Sequence, residues 1–201
     1  MRGSQKRDLD PKEAKKVADD FLKKTKDLYK KVELAGSLRR HAPVVHDVDF
    51  AVIPKGEFTK WKKSVEERVK GMGGTVIVFG ETISDFLYKG VQVNLFICPT
   101  IDSWGVTYMW ATGPKGHTIG MNIKARDKGL LINSQGLFTR DEPPKRIPTR
   151  TEQDVGRILG WKYKPPEERG LAKKREIEFP EKLSSHGSLN PFLSRDVPTL
   201  R

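Results

Sequence analysis

The spacing of hydrophobic residues changes from helical to strand-like within the first fifty residues. Asp10-Pro11 supplies an N-cap and a first-turn proline, and apolar residues follow at positions 14, 17, 21 and 28, which predicts a helix over residues 10–31. Residues 44–53 alternate instead, with Asp47 and Asp49 on one face and Val48 and Phe50 on the other. The alternation predicts a strand.

The later pattern predicts a mixed architecture. A helix is expected over residues 59–70, followed by three strands written "TVIVF", "TISDFLY" and "VQVNLFIC", the last two joined by a tight "KG" turn. After Pro99 we expect helices at 102–111 and 114–128, a hairpin through "LLIN" and "GLF", and a helix at 151–159. This order gives an α+β protein with a domain boundary near residue 100, a flexible leader at 1–9 and an extended, Pro-, Ser- and Gly-containing tail at 171–201.

The net charge of the chain indicates what kind of molecule it binds. The chain has 38 Lys and Arg against 26 Asp and Glu, a formal net charge of +12, which favours a polyanion. Nucleic acid is favoured over a membrane, because no apolar run approaches the roughly 20 residues of a membrane span and no signal peptide is recognisable. The single cysteine, Cys98, excludes an internal disulfide and a thiolate zinc cluster.

The stretch "GSLRRHAPVVHDVDF" carries candidate chemistry. Asp47 and Asp49 share one face of a strand, and two like charges at so short a distance need either a cation between them or a raised pKa of one carboxyl group. A divalent metal is the simpler solution, and oxygen ligands favour Mg²⁺ or Mn²⁺. Upstream, Gly36-Ser37 offers backbone N–H groups and a hydroxyl, and Arg39 and Arg40 can hold phosphate oxygens. Each motif alone is common at turns and surfaces, but the combination predicts nucleotide chemistry.

"GSLRR" followed by "DVD" resembles the signature of the nucleotidyltransferase superfamily. "GET", "GVQVNLFICP", "ATGPKGH", "INSQGLF" and "GWKYKPPEER" follow in an order that resembles the polymerase X family, to which DNA polymerase beta belongs. The resemblance covers residues 10–170 and is closest to bacterial-type members. It implies a nucleotidyltransferase palm over 10–100, with a mixed β-sheet flanked by helices, and a small helix-rich thumb with a β-hairpin over 101–170.

The resemblance also implies roles for particular residues. Ser37 and Arg40 would hold the β- and γ-phosphates, Asp47 and Asp49 would each ligate two Mg²⁺ ions, for which Mn²⁺ can substitute, and Thr112-Gly113 would lie under the incoming sugar. Further candidates lie beside them. They are Gly36 through its backbone, His46 as a phosphate contact, Trp110 where the family places an aromatic residue against a 2′-hydroxyl, Ala111 in place of a usual aromatic residue, and Lys115.

Five residues of the helix predicted at 114–128 are candidates for DNA contact. Thr118 and Asn122 stand where relatives often carry Asn and Arg against the minor groove, and Ala111 replaces a usual aromatic residue. These departures from the family pattern predict reduced template fidelity and reduced sugar selectivity, which leaves ribonucleotide use open. The complete set is His117, Thr118, Asn122, Lys124 and Arg126.

Asn94 departs from the family pattern, since the resemblance places a third catalytic, metal-binding aspartate there. An amide oxygen ligates a metal weakly, carries no charge and accepts no proton, so a weakened catalytic metal site is expected. Three explanations stay open: a substitution introduced to trap a substrate complex, a naturally inactive form, or compensation by Asp85, which lies opposite Asn94 if "KG" is a two-residue turn.

Together these features predict an X-family DNA polymerase that fills gaps by two-metal nucleotidyl transfer. Its expected partners are gapped or primer-template DNA and a nucleoside triphosphate, and we expect a soluble monomer inside the cell, in a cytoplasmic, nucleoid, viral or phage setting. Two alternatives remain. One is template-independent nucleotidyl transfer, and the other is an inactive protein that only binds nucleotide or DNA ends.

Overall fold

The computed structural model describes residues 7–170. Most of the predicted leader and all of the predicted tail, residues 1–6 and 171–201, lie outside the described residues. Leu9, at the end of the leader, pairs with Val45 in an isolated antiparallel bridge, and its N–H donates to the Val45 carbonyl at 2.8 Å.

The first helix begins where its signals predict but ends early. Helix α1 (Pro11–Thr25) is capped by the Asp10 carboxylate, which accepts the N–H groups of Lys12 and Glu13 at 2.8 and 3.1 Å. The prediction that the helix extends to residue 31 is wrong. After one 3-10 turn (Lys26–Leu28) the chain enters strand β1 (Tyr29–Leu34), because pairing with the next strand outweighs local helix preference.

A five-stranded mixed sheet organises the first half of the protein. The short helix α2 (Gly36–Arg39) precedes strand β2 (Val48–Pro54), which starts later than the predicted 44–53. Helix α3 and three strands follow in the predicted order. The sheet order is β1-β2-β5-β4-β3, with β2 and β5 parallel and the other pairs antiparallel; the new elements are α3 (Phe58–Gly71), β3 (Thr75–Phe79), β4 (Ile83–Tyr88) and β5 (Val91–Ile97).

The turn between β4 and β5 fixes their register. Lys89 and Gly90 both have positive φ, 50° and 74°, as a two-residue hairpin turn of the I′ type requires. Asp85 on β4 consequently lies directly opposite Asn94 on β5. At the far edge, β3 carries an irregularity between Val76 and Val78.

The two faces of the sheet are covered differently. Helices α1 and α3 cover one face, where the Phe21 ring lies 5.9 Å from Phe50 and 5.7 Å from Tyr88, and where Trp61 and Phe86 are buried. The other face of β2 buries Ala51 and Ile53 in a separate cluster with Trp104 and Ala111. The alternation of β2 places Asp49 on this second face, away from α1 and α3.

The second half is helix-rich and carries a small sheet, as predicted. Its core consists of Val106, Met109, Met121, Ala125, Leu137, Val155 and Leu159. The two-residue strand β8 was not predicted. The elements are α4 (Trp104–Thr112), α5 (Lys115–Asp127), β6 (Leu131–Asn133), β7 (Gly136–Phe138), β8 (Arg146–Ile147) and α6 (Glu152–Leu159).

The α+β class is confirmed by this arrangement of one mixed sheet, its covering helices and the helical second half. Within residues 7–170, no helix has the length and apolar character that a membrane crossing demands.

We expect Phe86→Ala to lower the free energy of unfolding by about 3–5 kcal/mol, because it removes a fully buried ring from the main core. The neighbouring Leu87 lies on the opposite face of β4 and is 44% exposed, so Leu87→Ala should cost about 1 kcal/mol or less. Urea unfolding followed by circular dichroism measures both. Equal losses would contradict the assigned faces of β4.

Candidate functional site

Asp49 and Asn94 meet on adjacent parallel strands. They are directly paired between β2 and β5, and the Asn94 Nδ2 donates to Asp49 Oδ1 at 2.8 Å. The Asn94 Oδ1 accepts a hydrogen bond from Gln92 Nε2, also at 2.8 Å. The amide of Asn94, which is 7% exposed, therefore presents its N–H to the carboxylate and its oxygen to Gln92.

The backbone at Gly36 lies against the Asp49 carboxylate. Gly36 has φ of +61°, and a Cβ built there would lie 1.9 Å from Asp49 Oδ2. The preceding residue, Ala35, donates its N–H to the Asp49 carbonyl at 2.8 Å. Only glycine satisfies both the left-handed conformation and the close approach, so the GS motif and the DVD motif are packed together.

Ser37 lies in α2, and Arg40 follows directly at the end of that helix. The Ser37 Oγ is buried and has no hydrogen-bond partner within residues 7–170, a costly state unless a ligand or water occupies it. The Arg40 guanidinium donates to the Thr112 carbonyl. Burial lowers the pKa of Arg40, while the charges of Asp49 and Asp47 act in the opposite direction, which shows that these groups share one electrostatic environment.

Arg39 does not behave as the phosphate ligand that its sequence position suggested. Its guanidinium forms two hydrogen bonds to the Glu152 carboxylate, at 2.8 and 2.7 Å, and a third to Thr112 Oγ1 at 2.6 Å. It also stacks over the Tyr108 ring at 3.6 Å. Arg39 therefore joins α2 to α4 and α6.

Glu152 is a buried carboxylate that the sequence did not reveal. It is 6% exposed and also accepts from Arg169 Nη2 at 3.1 Å. Burial raises the pKa of Glu152, but the hydrogen bond from Arg39 and the charges of both arginines outweigh it and hold the pKa below its usual value. Glu152 therefore binds as an anion between two arginines from distant parts of the chain.

The candidate sugar-contacting segment lies at the end of α4. Thr112 is buried, and a Cβ at Gly113 would lie 3.4 Å from Arg40 Nη1, so this segment and α2 are in contact. Trp110 packs partly against the core of the second half, and Ala111 is buried beside Trp104. Lys115 is exposed at the start of α5.

Of the remaining candidates, His46 precedes Asp47, and its Nε2 is 3.0 Å from Asp8 Oδ1. His117 stacks on Trp161 with ring centroids 4.5 Å apart, and burial, assisted by Arg169, lowers its pKa to about 4. The other α5 candidates are the half-buried Thr118, whose carbonyl accepts from Asn122 Nδ2, and the exposed Asn122, Lys124 and Arg126.

The donor set suits a hard cation shared with a ligand. Asp47 and Asp49 offer carboxylate oxygens. The Ser37 Oγ, next to Gly36, has no hydrogen-bond partner among residues 7–170, so it can donate to an anionic group. Among the described residues, no three His, Cys, Asp or Glu side chains are grouped closely enough to hold a metal by themselves. Ligand oxygens or water would have to complete the coordination.

Comparisons with known proteins agree on one family. Residues 107–170 match the family described as DNA polymerase beta thumb. Two African swine fever virus proteins named Repair DNA polymerase X are 28% and 26% identical over 149 and 148 residues, covering 72% of this chain and 84% of each relative. Human DNA-directed DNA/RNA polymerase mu is 32% identical over 83 residues, 41% of this chain and 16% of that protein.

A solved structure shares the fold. The Leishmania infantum polymerase beta, in a structure titled as a ternary P/T complex, matches with a TM-score of 0.70 and 21% identity. The match covers 81% of this chain and 77% of that chain.

We expect Gly36→Ala to weaken Mn²⁺ binding at least about tenfold, because the new Cβ must displace the Asp49 carboxylate. Gly56→Ala is the matched control. Gly56 also has positive φ, +83°, but a Cβ there meets nothing within 4 Å, so the control shares the backbone strain without the clash. Titration followed by Mn²⁺ electron paramagnetic resonance compares the two. Equal affinity in both variants would contradict the close packing of Gly36 on Asp49.

Glu152→Gln should lower the free energy of unfolding by about 3–5 kcal/mol near pH 7, because the buried Arg169 and the half-buried Arg39 lose their counter-charge. Since the folded-state pKa of Glu152 is depressed, its contribution is complete above the unfolded value near 4.5 and is lost as the pH falls through the folded value. The difference between parent and variant should therefore shrink below pH 4.5. Denaturant unfolding across pH, with the exposed Glu167→Gln as control, tests this.

Proposed function

This chain belongs to the polymerase X family, and from that premise we propose that it is a DNA polymerase that transfers a nucleotide from a (deoxy)nucleoside triphosphate to a primer 3′-hydroxyl. The main support is that three segments lie together: Asp49, the Gly36-Ser37 turn that packs against it, and the Thr112-Gly113 segment that contacts Arg40. The names of the viral relatives support a role in repair, which we propose to be gap filling.

We propose that residues 10–100 form the catalytic palm and residues 101–170 the thumb. The first range contains the sheet with Asp49 and Asn94 and, in the bend just before β2, Asp47, and the second has its own core around Leu137. The contacts of Arg39 with Glu152 and of Arg40 with Thr112 would then join palm to thumb beside the site.

Asp47 and Asp49 would hold two divalent ions, Mg²⁺ or Mn²⁺, together with oxygens of the triphosphate. Bound there, such ions lower the pKa of the primer hydroxyl and neutralise charge on the triphosphate. Two observations support this assignment: the close approach of the Gly36 backbone to the Asp49 carboxylate, and the Ser37 hydroxyl that has no hydrogen-bond partner among residues 7–170. We propose these residues as the metal and phosphate ligands.

The chain's own residues then mainly position the substrates. The Ser37 hydroxyl donates a hydrogen bond to a phosphate oxygen, and the Arg40 guanidinium, already oriented by the Thr112 carbonyl, adds positive charge. Gly36 fixes the Asp49 carboxylate, and Gly113 leaves space for the sugar. Further nucleotide contacts in this proposal are His46, Trp110, Ala111 and Lys115.

DNA would be held by charge without sequence readout. Lys124 and Arg126 are exposed in the last turn of α5, and the chain carries a formal net charge of +12. His117, Thr118 and Asn122 on the same helix would approach the nascent base pair. We propose that the protein acts as a monomer inside the cell or the infected cell, where its DNA substrate lies.

Asn94 favours a second candidate function. Its N–H group already binds the Asp49 carboxylate where the family has a third carboxylate, so the chain carries one negative charge fewer for a catalytic ion. This contact supports an alternative in which the protein binds nucleotide or DNA ends but does not transfer a nucleotide.

Template-independent transfer is a further alternative. Comparing extension of gapped duplex with extension of single strands distinguishes it from templated polymerisation.

Primer extension on a one-nucleotide-gapped duplex with Mg²⁺ or Mn²⁺ tests the proposal. We expect Asn94→Asp to extend the primer faster than the parent by about 100-fold or more, since it restores a carboxylate at the reacting centre. Asp49→Ala should abolish extension in either background.

The outcomes separate the candidates. Extension that requires the gapped duplex supports a templated polymerase, whereas equal extension of single strands supports template-independent transfer. If neither the parent nor Asn94→Asp extends any primer while both bind nucleotide, the polymerase proposal is wrong and the binding-only function replaces it.

A further inference from the structure

The face that carries Asp49 and Asn94 has a second acidic group on the next strand. Asp85 on β4 is paired directly with Asn94 on β5, which is paired directly with Asp49 on β2. Residues directly opposite each other in a sheet share a face, so the three side chains form one row across adjacent strands. Ser84 and Phe86, the neighbours of Asp85, are fully buried on the other face.

Within this row, Asn94 holds the Asp49 carboxylate by a hydrogen bond. Its Nδ2 donates to Asp49 Oδ1, and its Oδ1 is taken by Gln92, each at 2.8 Å. A cation beside Asp49 would therefore meet the N–H side of the amide and not its oxygen. The position that should supply a third negative ligand supplies a hydrogen-bond donor instead.

We propose that Asp85 takes over the charge of the missing third carboxylate by binding a water molecule of the cation held at Asp47 and Asp49. This inference rests on the proposed function, since it concerns the same metal site. It makes Asp85 a positioning residue for the cation.

The spacing of the strands fits contact through water better than direct ligation. Neighbouring strands lie about 4.8 Å apart, so β2 and β4 are about 10 Å apart with β5 between them. A carboxylate that hydrogen-bonds a metal-bound water lies about 4–5 Å from the ion, whereas a direct ligand lies at about 2.1 Å. Mg²⁺ typically retains several waters, and no three acidic groups of residues 7–170 converge for direct coordination.

The proposal predicts that Asp85 matters only while position 94 is an amide. Mn²⁺ binding is measured by electron paramagnetic resonance on the full chain with gapped DNA, a dideoxy-terminated primer and a non-hydrolysable triphosphate, so that no turnover is needed. Asp85→Asn should weaken Mn²⁺ binding about tenfold in the parent chain, the scale of a lost outer-shell contact. In the Asn94→Asp background the same change should have less than about a twofold effect.

Matched controls keep the result interpretable. Glu81→Gln removes one exposed negative charge from the loop before β4 and should leave Mn²⁺ affinity unchanged, which separates a local contact from a general loss of charge. Asp47→Asn should abolish tight binding. Thermal unfolding of each variant verifies that the isosteric changes leave the fold intact.

Two results would overturn the inference, and they are distinguishable. If Asp47→Asn weakens Mn²⁺ binding while Asp85→Asn does not, the metal site of the proposed function stands and the role of Asp85 is rejected. If neither change affects Mn²⁺ binding, the metal site itself is wrong and the proposed function falls with it. An equal effect of Asp85→Asn in both backgrounds also rejects compensation.

Discussion

The contact between the Gly36 backbone and the Asp49 carboxylate is the constraint on which the site depends. It fixes the start of α2 against the start of β2, and so determines where Ser37, Arg39 and Arg40 emerge. From there Arg40 reaches the Thr112 carbonyl and Arg39 reaches Glu152. A side chain at position 36 would displace the Asp49 carboxylate and disturb the connection between the two halves at the same time.

Glu152 adds an ionic contact to the apolar cluster of Ala51, Ile53, Trp104 and Ala111 that already joins the two halves. An ionised carboxylate buried between Arg39 and Arg169 is stable only while both partners are in place. Because Arg39 also stacks on Tyr108 and binds Thr112, displacement of α6 would expose several unpaired charges at once. The ionic contact between the two halves is therefore sensitive to the loss of Arg39, Glu152 or Arg169.

The sequence predicted those elements correctly whose signals, such as a turn or an alternation, lie within a few adjacent residues. The Lys89-Gly90 turn and the alternation of the flanking strands predicted the pairing of Asp85 with Asn94, and the structure confirms it. Strand β1 was missed because Tyr29–Leu34 follows a basic helix without a turn signal and becomes a strand only by pairing with β2. Arg39 and Glu152, separated by 113 positions, carry no sequence signal of their contact.

Strand β3 forms one of the two edges of the sheet, and its residues Ile77 and Val78 are apolar and each 53% exposed. A flat edge of that composition is a template for pairing with another chain. The irregularity between Val76 and Val78 interrupts the regular ladder of donors and acceptors along this edge. This interruption makes β3, a strand without charged side chains, a poorer template for edge-to-edge pairing.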